Sequence, residues 1–294
     1  MVVVIVSTFV ARDLELALFE VVLVLQMYLV FLYLASTTRT VEDVRFIAAA
    51  LVLGLAVSGA LMVNQRFSGW PGPHALFAIA DNQTLAEESR DRVIGTMGSP
   101  NTAAAYLTLL LAPTACVWLT SSSRRFKLLA AVAFASGLLA LLLSQSRGGL
   151  LALGISMGIV ALVSLRRGWL PAKAPLIAIC AVAILVAILP EGFFKRLAQD
   201  DSGSAQARWP LMLLALRMIA DQSLLGVGAN NFSTVMMQYV TPDFSAYGGE
   251  WLYTVHNKYL LVWAQTGLGG LITFIAVLIV ALINGWREIG RAHV

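Results

Sequence analysis

Apolar positions in this chain do not alternate with polar ones at a short period; they run on. Seven stretches, at about 14–35, 46–63, 101–120, 128–144, 149–165, 174–190 and 259–284, are nearly continuous in Leu, Val, Ile, Ala and Phe. Each approaches the roughly twenty residues that a helix needs to cross a ~30 Å hydrocarbon core. A helix that is apolar all round has no face to give to water, so these stretches read as membrane spans. The connections between them alternate in charge. Arg39 and Arg45 flank the first, Arg124, Arg125 and Lys127 fill another, Arg166, Arg167 and Lys173 lie in a third, and Arg287 and Arg291 follow the last run. Basic connections stay on the cytoplasmic side. The connections 64–100, 145–148 and 191–258 therefore face outward together, as does the N-terminus.

Composition agrees and removes other classes. Of 294 residues, 59% are hydrophobic and 12% charged, and the mean hydropathy is +0.81. Soluble domains carry about twice that share of charge. The net charge of +4 suggests no nucleic acid, because the basic residues are gathered in short clusters between spans. The expected fold is all-α, a polytopic transmembrane helix bundle of about seven spans forming one domain over 1–294. A first outer loop at 64–100 and a large one at 191–258, with short amphipathic helices, complete it. Cys116 and Cys180 lie within apolar runs and read as packing residues, so neither a disulfide nor a metal site is expected, and no cofactor. The opening ten residues are too short to span and lack the basic start of a signal peptide. With the stop at Val294 soon after a basic turn, the sequence reads as a piece of a longer protein.

The outward loops hold the chemistry. His256, in Tyr253-Thr-Val-His-Asn-Lys-Tyr259, is one of three histidines and stands where the large loop re-enters the bilayer. An ionisable group there is a candidate functional residue, and imidazole is suited to proton transfer near neutral pH. Arg147 lies in the tight turn Leu143-Ser-Gln-Ser-Arg-Gly-Gly-Leu150. It either snorkels to lipid phosphates or, with Ser144, Ser146 and two bare glycines, forms an anion pocket whose guanidinium fork grips diphosphate oxygens. Leu211, Leu214, Ala215, Met218 and Ile219 recur at helical spacing behind Pro210, which suits a first helical turn. That helix is expected on the outer membrane face, with Arg208 at its N-terminal end toward an anion and Arg217 turned away from it. Leu224-Leu-Gly-Val-Gly-Ala-Asn-Asn reads as a helix stop and turn, with Asn230 or Asn231 opening a short helix, and not as a nucleotide loop. Asp200-Asp201 and His74 read as solvated loop residues. Arg66 and Arg92 either gather anions or pair with acidic neighbours, and Asn101 is placed to cap the helix that begins at Pro100.

Four of these motifs recur in one order. Arg92-(x2)-Gly95-(x3)-Ser99-Pro-Asn101, Ser144-Gln-Ser-Arg-Gly-Gly149, Arg208-(x17)-Gly226-Val-Gly228, and His256-Asn257 ahead of Gly267-x-Gly-Gly270 resemble the O-antigen ligase and polymerase superfamily over about 64–284. The resemblance implies a metal-independent, inverting glycosyltransferase of the bacterial inner membrane with its active site on the periplasmic side. The donor would be an undecaprenyl-diphosphate-linked glycan, and the acceptor lipid A core, a glycan or a protein hydroxyl. It implies His256 as general base and Arg147 and Arg208 as diphosphate ligands, with Arg92 and Asn257 as further substrate-binding positions. Such proteins usually have ten or more spans, and seven is a departure. The other classes weighed are a secondary transporter, a cell-wall polymerase of the shape, elongation and division type, and a non-catalytic scaffold. A transporter needs intramembrane acids and internal symmetry, and Glu15 and Glu20 near one end of a span are the acids present.

Overall fold

The computed structural model describes residues 1–69, 92–97, 99–168, 204–241 and 254–291. The span expected at 174–190, His74 and the Asp200-Asp201 pair lie outside them. The described residues are helical, without strands, and fall into two compact units, one of Thr38–Gln199 and one of Met1–Thr37 with Asp200–Val294. Six described helices are long and apolar enough to cross a membrane.

The first unit contains α3 (Val41–Ser68), α4 (Pro100–Thr120), α5 (Arg124–Ser144) and α6 (Arg147–Arg166). Polar caps start them. The Thr40 hydroxyl accepts from the Asp43 N–H at 3.2 Å while the Asp43 carboxylate accepts from the Thr40 N–H at 2.8 Å, a reciprocal box that satisfies two helix-end donors. Ser99 caps α4 through the Thr102 N–H at 3.1 Å, so the capping expected of Asn101 falls to its neighbour. The helices alternate in direction. Gln65 Oε1, near the C-terminal end of α3, accepts from the Ile94 and Gly95 N–H groups at 3.1 and 2.9 Å, and the Val93 N–H reaches the Leu143 carbonyl at the C-terminal end of α5. Arg124, Arg125, Lys127, Arg166 and Arg167 therefore share the opposite end, as the charge alternation predicts for this unit. Leu55, Met62, Leu107, Leu111 and Leu141 fill the core. Helices α3 and α5 approach closely at two small residues. A Cβ on Gly59 would stand 2.8 Å from the Gly137 nitrogen and from the Ser136 hydroxyl.

The second unit contains α1 (Val2–Thr8), α2 (Leu14–Thr37), α7 (Ser204–Asp221), α8 (Phe232–Val235), a 3₁₀ turn at Met236–Tyr239 and α9 (Lys258–Arg291). The apolar stripe of α7 is as expected, but its partner is not. Leu211, Leu214, Ala215, Met218 and Ile219 pack with Phe232, Met236 and Ala264 in a buried core, so the stripe faces protein and not the bilayer surface. Pro210 lies inside the helix, which begins at Ser204. Helix α9 is broken at Gly267 (φ 69°, ψ −173°). The Leu268 N–H bonds to Ser223 O at 2.9 Å, and the carbonyls of Ala264 and Gln265 are taken by the Val227 and Gly228 N–H groups at 2.8 and 3.0 Å. The Gly-Val-Gly segment is thus a backbone staple on a broken helix.

The Gly59 crossing is testable. Replacing Gly59 by Ala overpacks the α3–α5 contact and costs about 1–3 kcal/mol. Gly158→Ala, which meets open space, is neutral or stabilising. Thermal denaturation of the two variants in detergent separates them, and equal midpoints would refute the close crossing.

Candidate functional site

In the first unit the candidate residues gather where α5 passes to α6. Ser144 closes α5, Gln145 takes a left-handed conformation (φ 51°), and Ser146 caps α6 by accepting from the Gly149 N–H at 3.4 Å. The Ser146 hydroxyl donates to Asn101 Oδ1 at 3.1 Å. Arg92 Nη2 donates to the same oxygen at 3.3 Å, while Arg92 Nε donates to the Ser144 carbonyl at 2.8 Å. One face of the Arg92 guanidinium therefore fastens the turn from which Arg147 emerges. The Ser144 hydroxyl bonds the Leu141 carbonyl at 2.7 Å and is buried. Both hydroxyls expected to face an anion are thus directed into the fold instead. Gly149 gives room for α4, since a Cβ there would stand 2.8 Å from Ala104 Cβ, whereas Gly148 borders open space. Arg147 is the first residue of α6 and exposed, at a helix end whose N–H groups and dipole favour anions.

In the second unit His256 lies two residues before α9. Asn257 caps that helix: its Oδ1 accepts from the Tyr259 and Leu260 N–H groups at 3.1 and 3.2 Å. His256 is solvent-reachable yet part-shielded, and the charge of Arg208 on α7 acts on it. Partial burial and then the Arg208 charge push its imidazole below the ordinary value. Both favour the neutral ring, the form that accepts a proton. Any stability tied to this neutral ring is complete above the unfolded value and is lost as pH falls through the depressed folded one. Arg208 is the fifth residue of α7, a turn beyond the free N–H groups. Its position opposite His256, not a helix terminus, is what sets it apart.

Arg217 turns elsewhere, as its opposite placement on α7 predicts. Its Nη1 donates to the Tyr239 carbonyl at 3.2 Å and to the Thr241 hydroxyl at 2.9 Å. The Tyr239 hydroxyl donates to Asp221 at 2.6 Å, and burial together with that carboxylate pushes its phenol up to about 12. Asn231 does open the short helix α8, but its side chain does not cap it. It accepts from the Asp13 N–H at 2.7 Å and donates to Asp13 O at 2.9 Å. Arg208, His256 and Asn257 thus belong to one unit, and Arg92 and Arg147 to one end of the other. The bonds of Gln65 to the 94–95 backbone and of Asn231 to Asp13 were not foreseeable from the sequence, because each joins segments far apart in the chain.

Residues 132–275 match the family model described as Wzy_C, O-antigen ligase. The chain carries an O-antigen ligase domain. Comparison with curated proteins finds no match, and neither does comparison with solved structures. The ligase segment includes Arg147, Arg208, His256 and Asn257 but begins after Arg92. With its apolar helices it makes the chain a multi-pass membrane protein of the glycan-transferring type.

The Arg208–His256 relation has a direct test. Diethyl pyrocarbonate modification against pH, in a background of His74→Gln and His293→Gln, reports His256 alone. Arg208→Gln raises its half-modification pH toward the ordinary histidine value. No rise would mean that the guanidinium does not act on the ring.

Proposed function

We propose that this O-antigen ligase domain moves a glycan from undecaprenyl diphosphate to an acceptor hydroxyl at the periplasmic face of the bacterial inner membrane, without a metal. The observation that supports this reading most is the O-antigen ligase match over residues 132–275, a segment that holds both His256 and Arg208, whose charge bears on the imidazole.

His256 takes the proton of the acceptor hydroxyl as its oxygen attacks the anomeric carbon of the donor. The new C–O bond forms as the bond to the diphosphate breaks, and attack from the face opposite the leaving group inverts that carbon. The bonding pair leaves with the diphosphate, which needs no proton but does need positive charge where its own charge grows. Arg208, in the same unit as the base, supplies that charge as a bidentate fork, a geometry that lysine lacks; Arg147, exposed at the start of α6, is a second candidate ligand for anionic oxygens. Arg92 and Asn257 support them: the first fastens the turn that presents Arg147, and the second caps the helix that presents His256. The imidazolium then gives its proton to solvent.

Transfer from a lipid-diphosphate glycan in detergent or vesicles tests the assignment. His256→Ala lowers the rate by about 10²–10⁴, and Arg147→Lys and Arg208→Lys each reduce it while the proteins remain inserted. Added chelator leaves transfer unchanged. Near wild-type transfer by His256→Ala would remove the base from this mechanism. Sidedness is separately testable with single cysteines at positions 125 and 204, which the charge alternation expects to label from opposite faces; labelling of both from one face would overturn that topology.

A further inference from the structure

Two helices descend side by side in the second unit, and what joins them lies far from the residues they present. Helix α7 runs thirteen residues from Arg208 to Asp221, about 20 Å, and the first part of α9 runs eight from Lys258 to Thr266, about 12 Å. Their lower ends meet at Ser223–Gly228. There Ser223 O accepts from the Leu268 N–H at 2.9 Å and from Trp263 Nε1 at 3.2 Å, and Val227 and Gly228 close onto Ala264 and Gln265. No side chain fits between these backbones. A Cβ on Gly226 would stand 2.6 Å from Gln265 O, and one on Gly267 would collide with the Leu224 carbonyl. Gly267 also occupies a region of backbone space that is essentially closed to other residues. From the other side, Asn231 is fully buried and binds Asp13 through both ends of its amide.

We propose that this staple at the Gly267 break is a positioning device, with Gly267 and Trp263 as positioning residues that fix where Arg208 stands relative to His256. The proposal rests on the reading of His256 as base. A continuous helix would bond Leu268 back to Ala264 and leave no carbonyl for the Gly-Val-Gly turn to grip. The C-terminal end of α7 would then lose its anchor on α9, and Arg208, at the far end of that lever, would swing furthest. Of the charged groups described on the surrounding elements, Arg208 is the one that acts on His256. Arg217 and Asp221 lie nine and thirteen residues further along α7, Tyr239 is bound to Asp221, and Lys258 is on the helix that His256 precedes.

The test reads His256 apart from catalysis. In the His74→Gln/His293→Gln background, Gly267→Ala and Trp263→Phe are titrated with diethyl pyrocarbonate and assayed for glycan transfer. Both variants raise the half-modification pH of His256, and in both the acid limb of transfer moves up by the same amount. Gly267→Ala lowers the transfer rate about a hundredfold, the scale of a small misplacement of reacting groups. Where Gly267→Ala does not insert, Trp263→Phe decides. A half-modification pH equal to the parent's in the inserted variants would overturn the positioning role, whatever happens to the rate. A shifted modification curve without any change in transfer would keep the staple and instead remove His256 from the reaction.

Discussion

A backbone carbonyl that faces hydrocarbon or a dry protein interior must find its donor within the chain, because no water is there to supply one. That constraint shapes more of this protein than any side-chain charge. It makes the apolar runs helices, and it decides what happens where a helix stops. At the end of α5 the Ser144 carbonyl is taken by Arg92 and the Leu143 carbonyl by the Val93 N–H. At the break of α9 the carbonyls of Ala264 and Gln265 are taken by the turn after α7. Arg217 serves the Tyr239 carbonyl in the same way. Arg92, which reads in sequence as a possible anion ligand, is in the fold a donor to a loose end of backbone.

This separates the arginines by what their guanidinium groups face. Arg92 and Arg217 close polar loops over carbonyls, while Arg147 emerges exposed from the turn that Arg92 fastens. Arg208 bears on an imidazole. The candidate residues Arg147 and His256 therefore stand at the ends of packed helices, where small shifts in a supporting turn reach them undamped.

The spans were legible because a bilayer needs long apolar runs, and every described one covers its run, with α3 and α9 extending furthest beyond theirs. His256 was legible as an isolated ionisable group at a membrane boundary, and Arg217's opposite orientation followed from helical spacing alone. What sequence could not convey was partnership between distant segments. The stripe Leu211–Ile219 has the same period whether it meets lipid or Ala264, and only the packed unit tells them apart. Likewise Gln-Thr-Gly-Leu-Gly-Gly offers three glycines as breakpoints, and Gly267 is selected by the Leu224 carbonyl that comes from another element. Ser99 caps α4 because the helix starts at Pro100, and Asn101, inside the first turn, binds Arg92 and Ser146 instead.

The break also divides labour along α9. The span assigned to this helix, Lys258–Arg287, is 30 residues long, about 45 Å of helix, well beyond a ~30 Å hydrocarbon core. The part after Gly267 reaches across by itself, so the nine residues before it need not follow the bilayer. A thinner or thicker membrane is met by tilting the long lower segment, while the short upper one stays with the core it is pinned to. The histidine at its tip is thereby insulated from lipid composition by a single glycine.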